Sequence, residues 1–458
     1  MSTGAPMLRQ IVGLALASTA VSCAHYVEKP LTSEVIAERL HGEPLARLTA
    51  KAAQLRLPGA PSTVEIAADG TLDALGAAVL AVVAQPNLRA SRTRAGIAQA
   101  QLTAAGILPN PTLSASLDLP ILGDTSAVTA FGLGLSWEIT ALLTRPHNRQ
   151  AAQAQLQAVD LEIAWEEWQT AMAAQLSATR LAWLQLRVTT AEADVQLALD
   201  FAARLNAALE KHVATTIDAD AASAAAENSI QRLVTLQGQL AAEKLQLKRA
   251  IGLDPDVQLI VTEPTLLTPT RLPDLQTLQE LMPSRRLDLQ GLERAYASQD
   301  IRVRAAVLSQ FPRLALGLNL TRDNANVASL GPGVALDLPI FDRGQGRIAL
   351  ETATREHLFE VYLARRAEAR ADLAKAGADL AATQTQLRQA GKVVERLQKL
   401  AAALTLALQH GQADAVTVFA VRLQLMDARQ NQMALAQLQS ELHVALQAVV
   451  GQLLQEER

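Results

Sequence analysis

The residues of this chain that could do chemistry are few and far apart. Its seven histidines, at positions 25, 41, 147, 212, 357, 410 and 443, include no pair at metal-ligand spacing beside a carboxylate. They read as surface or helix-end residues. Gly331-Pro332-Gly333 and Gly344-Gln345-Gly346 are rich in glycine, but the first reads as the start of a strand and the second as the exit from one. Neither has the form of a phosphate-binding loop. Asp342 and Arg343 read as caps of the helix that follows, and Glu166 and Glu167 as the solvated face of a coiled coil. No nucleophile, base and oxyanion donor can be named together, so no enzyme, metal or cofactor is expected.

One residue does point to a covalent modification. Cys23 is the only cysteine, so it can form neither an internal disulfide nor a multi-cysteine metal site. It follows Arg9, an apolar run from Ile11 to Val21, and Ala20-Val21-Ser22, which reads as a secretory signal peptide over 1–22 ending in a lipobox-like sequence. Ala20 stands where such sites usually carry leucine. Residues 23–67 then form an N-terminal anchor segment attached through Cys23. The rival reading is an uncleaved apolar end with an incidental cysteine.

Composition narrows the partners. Half the residues are apolar but only 3% are aromatic, and alanine is abundant, which favours long, closely packed helices over a thick globular core. A formal net charge of −4 gives no basic footprint, so no nucleic-acid partner is expected.

The elements that organise the chain come from a duplication. Leu108-Pro109-Asn110-Pro111-Thr112-Leu113 aligns with Ser309-Gln310-Phe311-Pro312-Arg313-Leu314 at a shift of 201 positions. The same shift aligns Gly132-Leu133-Gly134-Leu135 with Gly333-Val334-Ala335-Leu336, and Pro86-Asn87-Leu88 with Leu287-Asp288-Leu289. A fixed offset of this kind marks a repeated unit. The units are read as 68–255 and 271–458, with a linker over 256–270.

Each unit carries two segments of period two. Leu113, Ala115, Leu117 and Leu119 alternate with Thr112, Ser114, Ser116 and Asp118, and Leu133, Leu135, Trp137 and Ile139 alternate with Gly134, Ser136 and Glu138. The second unit repeats this with Leu314, Leu316, Leu318 and Leu320, then Val334, Leu336, Leu338 and Ile340. Such strands suit a membrane barrel, the alternative being a soluble sandwich with one solvated face. Four strands cannot close a barrel alone, because open edges would leave unpaired backbone groups in lipid.

Around the strands lie long tracts with helical and heptad spacing, such as Leu161, Trp165, Trp168, Met172 and Leu176, or Leu373, Leu380, Leu387 and Val394. A helix from about Asn148 to His212 is expected, roughly 100 Å long at 1.5 Å per residue. The tracts are expected to reverse at Val213–Asp218 and at His410–Asp414. The fold class is thus mainly α with a small β part: antiparallel helical hairpins plus four membrane strands per chain.

The lipobox, the duplicated helix-strand-strand-helix unit, the Asn-Pro near the first strand and Leu-Pro-Ile-Phe-Asp-Arg-Gly at 338–344 together resemble the TolC-type outer-membrane efflux family. The resemblance covers nearly all of the chain after Cys23. It implies a homotrimer with a shared 12-stranded barrel in outer-membrane lipid and a periplasmic helical tunnel. It further implies a periplasmic adaptor and an inner-membrane pump as partners, and a passive conduit for small molecules or metal ions. The rival readings are a periplasmic adaptor, which should show one hairpin among small β domains, and a structural coiled-coil lipoprotein.

Two departures bear on the gate. Val213 stands in the first tip where the family commonly has the glycine that Gly411 supplies in the second. The family's acidic ring beyond that glycine would fall on Thr417 and Ala420. The nearest carboxylates, Asp218, Asp220 and Asp414, are therefore the candidate gate residues, with helix capping as their alternative role.

Overall fold

In the computed structural model, the residues described are 25–40, 43–57, 70–121, 127–264 and 274–454. Cys23 and the signal segment lie outside them. The chain divides into two compact units, Met1–Pro44 and Leu45–Arg458. The described part of the first holds one helix, α1 (Ser33–Leu40).

The second unit opens with α2 (Leu45–Ala52), β1 (Thr71–Leu72), α3 (Ala74–Ala84) and α4 (Pro86–Gly106). Strands β2 (Thr112–Asp118) and β3 (Ala130–Glu138) follow, then the hairpin of α5 (Ala141–Glu210) and α6 (Thr216–Ile251). After β4 (Ile260–Val261) the order recurs: α7 (Leu275–Arg285), α8 (Leu287–Leu308), β5 (Leu314–Arg322), β6 (Ala328–Leu336), α9 (Gln345–Gln409) and α10 (Ala415–Val450). Starts of α3 and α7 differ by 275 − 74 = 201 positions, as do those of α4 and α8, whereas those of α6 and α10 differ by 415 − 216 = 199. The change arises between them, where α5 has 70 residues and α9 has 65.

The core sits where the helices meet. Helix α3 is apolar on every side and is buried along Gly76–Val82 against Trp168, Met172 and Ala178 of α5 and Leu247 and Ile251 of α6. A helix without a polar face is stable only when enclosed in this way. The second repeat has its own cluster, in which Leu278 and Met282 of α7 meet Leu373 and Leu380 of α9 and Leu446 and Val450 of α10. Among the described residues no helix is long and apolar enough to cross a membrane.

Several expectations are corrected. Helix α5 starts at Ala141 and runs about 105 Å, with Pro146 inside it. Leu142 and Leu143 donate to Ile139 and Thr140, so the first turn closes early and proline forfeits a bond only near the helix end. Gly331-Pro332-Gly333 lies in the middle of β6 rather than at its start. Within the single chain β6 is an edge strand, the place in a sheet where proline is tolerated. Asp342 does not cap α9: the N-cap is Gly344, and the Asp342 carboxylate accepts from the Gly344 N–H two residues on, closing a turn.

Candidate functional site

The four long strands form one antiparallel sheet in the order β2-β3-β5-β6. Register decides what each face carries. Leu113, Leu135, Leu318 and Pro332 stand in one row across the sheet, and Ala115, Leu133, Leu320 and Leu330 in another on the same face. The rows between them, on the opposite face, are Ser114, Gly134, Asn319 and Gly331, and Ser116, Gly132, Thr321 and Ser329. Paired residues share a face in antiparallel sheets, so one face is apolar and the other small and polar.

The apolar face is uncovered in the chain: Leu113 is 72% exposed and Val334 69%. The small face is crowded. A Cβ on Gly134 would lie 2.6 Å from Ser114 Oγ and 2.8 Å from Asn319 Oδ1, and one on Gly317 would lie 2.9 Å from the Leu135 carbonyl oxygen. Glycine and serine thus let the sheet curve toward that side, the inside of any closed barrel. Strands β3 and β5, of nine residues each, extend about 30 Å, the short end of the range of tilted membrane-barrel strands.

The sheet is locked to the helices at its base. Trp137 Nε1 donates to the Pro109 carbonyl at 2.8 Å, which gives the Asn-Pro segment its role. The Leu314 N–H donates to Thr140 Oγ1 at 2.6 Å, and Arg145 Nε donates to the Gly106 carbonyl at 2.7 Å.

Below, the two hairpins join along α5 and α10. Arg180 donates to both carboxylate oxygens of Glu441 at 3.1 and 2.8 Å, Trp183 Nε1 to Ser440 Oγ at 3.1 Å, and Arg187 to Gln437 at 3.0 Å. Further down, Gln430 Nε2 donates to Asp194 at 3.2 Å, and Phe201 stacks on Phe419 with centroids 3.5 Å apart. Burial pushes the Asp194 carboxyl above the usual range, against the Gln430 bond and the Arg232 charge.

At the tips, the expected reversals occur with a different residue in the left-handed conformation. His212 has φ +56° and Gly411 has φ +71°, and Thr215 and Asp414 each stand three positions later as N-caps. The Val213 N–H donates to Ala208 and the Gln412 N–H to Ala407, the same C-terminal motif twice. His212, not Val213, is therefore the counterpart of Gly411.

The carboxylates of the tips differ in their engagement. In the first turn Thr215 is the cap and Asp218 its partner, with Thr215 Oγ1 donating to Asp218 at 2.6 Å. In the second the types are exchanged: Asp414 is the cap, accepting from the Thr417 N–H at 2.7 Å and the Thr417 hydroxyl at 2.6 Å. Those bonds hold the Asp414 carboxyl below its usual range. Asp220 is exposed at the start of the second turn of α6 and caps nothing. Among the described residues no group of histidine, cysteine and carboxylate side chains could hold a metal ion.

No family model and no curated protein matches this chain. Solved structures do. The outer-membrane channel OprN superimposes with a TM-score of 0.70 at 16% identity, covering 94% of this chain and 99% of that one. The CmeC outer membrane channel of Campylobacter jejuni gives 0.67 at 13% identity, with 96% and 94% covered. The outer membrane protein VceC of Vibrio cholerae gives 0.66 at 17%, with 83% and 95% covered. At such identities the likeness establishes the fold.

Proposed function

Because this chain has the fold of TolC-type outer-membrane channels, we propose that it is the outer-membrane conduit of a tripartite efflux system, passing small molecules or metal ions passively to the exterior. The observation that carries this reading is the two-faced sheet set on two helices each about 100 Å long. An apolar outer face and a small, polar inner face are what a water-filled barrel in lipid requires.

The same physics supports a homotrimer. Strands β2 and β6 are unpaired edges within the chain, and lipid offers backbone groups no partner. Three copies joining β6 to β2 would give twelve strands and no edge. Residues 68–255 and 271–458 are the repeated halves, 256–270 their linker, and Cys23 the lipid attachment after removal of 1–22. The tips would face a periplasmic adaptor and, through it, an inner-membrane pump.

Asp218, Asp220 and Asp414 would form acidic rings at the periplasmic end, favouring cations. Asp220 is the strongest of the three, since the other two are engaged in caps. Planar-bilayer recording of the purified protein tests the whole reading: stepwise conductance is expected, and its absence from a folded, membrane-extracted protein rejects it. Replacing the three aspartates with asparagine should lower cation selectivity; unchanged selectivity leaves them as caps alone.

A further inference from the structure

Directly below the sheet, α4, α5, α8 and α9 line a half-open cavity of about 420 Å³, in which Arg302 and Arg347 are exposed to solvent. Its lining includes Arg302, Arg347 and Glu351, with Gln101, Thr144 and Asn148 as neutral hydrogen-bonding groups. Among the described residues, neither Arg302 nor Arg347 has an ion-pair or hydrogen-bond partner. Nearby arginines behave otherwise: Arg94 bridges to Glu162 and Glu166, and Arg355 to Asp300. The one carboxylate in the lining is engaged, since Gln299 Nε2 donates to Glu351 Oε2 at 2.5 Å.

Arg347 is also misplaced by the ordinary rule for helices. It sits in the first turn of α9, which has no acidic residue there and no side-chain cap. A cation at that end opposes the helix dipole, and an anion bound beside it would reverse the penalty. The carboxylate nearest that end, Asp342, is spent on the Gly344 N–H and forms no ion pair with Arg347, which leaves the guanidinium open to an external anion.

We propose that this cavity binds a phosphate-type oxyanion, clamped between Arg302 and Arg347 and completed by Thr144, Asn148 and Gln101. Guanidinium groups match the geometry and charge of phosphate oxygens, and two of them in a semi-enclosed cavity select against neutral ligands. The oxyanion has two sources. One is the head group of an anionic phospholipid, whose chains would lie on the exposed Leu338, Ile340 and Phe341 that follow β6. The other is a free phosphate in solution. Binding does not depend on conduction, so the proposal and the channel reading can fail separately.

The test uses the purified full-length protein in detergent at low ionic strength. Calorimetric titration is made with inorganic phosphate, then with dihexanoylphosphatidylglycerol against dihexanoylphosphatidylcholine. Saturable binding is expected for wild type, weakened tenfold or more in Arg302→Gln/Arg347→Gln and unchanged in Arg388→Gln, a site far along α9. The charge-preserving Arg302→Lys/Arg347→Lys variant, which guards against misfolding, should bind with intermediate affinity. A preference for phosphatidylglycerol over phosphatidylcholine assigns the site to lipid, and equal weak binding of both beside saturable phosphate binding assigns it to a soluble anion. No saturable binding of either, or equal affinity in wild type and both double variants, overturns the proposal.

Discussion

Gln85 and Arg286, separated by 286 − 85 = 201 positions, both hold the carbonyl one residue before the end of the returning helix, Ala250 in one repeat and Val449 in the other. Gln85 Nε2 donates to the carbonyls of Arg249 and Ala250 at 3.2 and 2.9 Å, and Arg286 Nη1 to that of Val449 at 3.4 Å, at the ends of α6 and α10. Each corner is closed by a glycine at φ +86°. A Cβ on Gly252 would lie 2.8 Å from Gln85 Cα, and one on Gly451 2.9 Å from the Arg285 carbonyl oxygen.

Equivalent seats carry unequal weight. Arg286 also makes paired bonds to Asp288 at 3.0 and 2.6 Å and lies 4.7 Å from the Trp165 ring centroid. Both members of the ion pair are largely buried. Gln85→Ala should therefore cost about 1 kcal/mol. Arg286→Ala leaves the buried Asp288 carboxylate only the longer pair to Arg365 Nε at 3.9 Å and should cost about 3 kcal/mol. Chemical denaturation of the two variants measures the difference, and equal losses would reject the corner asymmetry.

At the first tip, a non-glycine residue bears the left-handed conformation. Such a residue is disfavoured there by about 1–2 kcal/mol, partly offset by the greater chain entropy of glycine when unfolded. His212→Gly should leave stability unchanged or raise it, while Gly411→His should lower it by about 1 kcal/mol. Hydrogen exchange at the tip amides reads both. Faster exchange in His212→Gly would contradict the φ angle assigned to His212.

The seam predicts a pH effect through Asp194. Its raised carboxyl pKa means that folding is most favoured when the group is protonated, and that this contribution is lost as pH rises through the folded-state value. Gln430 Oε1 meanwhile is buried without a partner. Asp194→Asn removes the buried charge and can offer an N–H to that oxygen, so it should stabilise at neutral pH by about 1 kcal/mol. The gain should shrink as pH falls and wild type becomes protonated. A variant destabilised at neutral pH would show that the charge, through Arg232, holds the seam.

The two faces of the sheet give the sharpest contrast. Leu318 and Asn319 are neighbours on β5 but face opposite ways. In the proposed barrel, Leu318→Arg would place a cation toward lipid and should cost about 2–4 kcal/mol in stability. Asn319→Arg would there face the lumen and should change conductance more than stability. Heat-modifiability on gels and single-channel recording separate the two, and a reversed pattern would turn the sheet inside out.

Much of this was legible in the sequence because it is local or periodic. Alternation in Thr112–Asp118 and Leu314–Arg322 assigns their faces, since a strand has period two whatever surrounds it. The shift of 201 carries register as well: Leu113 pairs with Leu135 and Leu314 with Leu336, each member displaced equally. The position of the left-handed residue was not legible, because it depends on where α5 stops, and the shift had by then become 199. Nor was the exchange of cap and partner between Thr215 and Asp414. The meeting of Arg180 with Glu441, of Gln85 with Ala250, and of Arg302 with Arg347 around one cavity was decided only by the tertiary structure. A period tells which side of a helix faces inward, but not which other helix, hundreds of residues away, will lie against it and at what height.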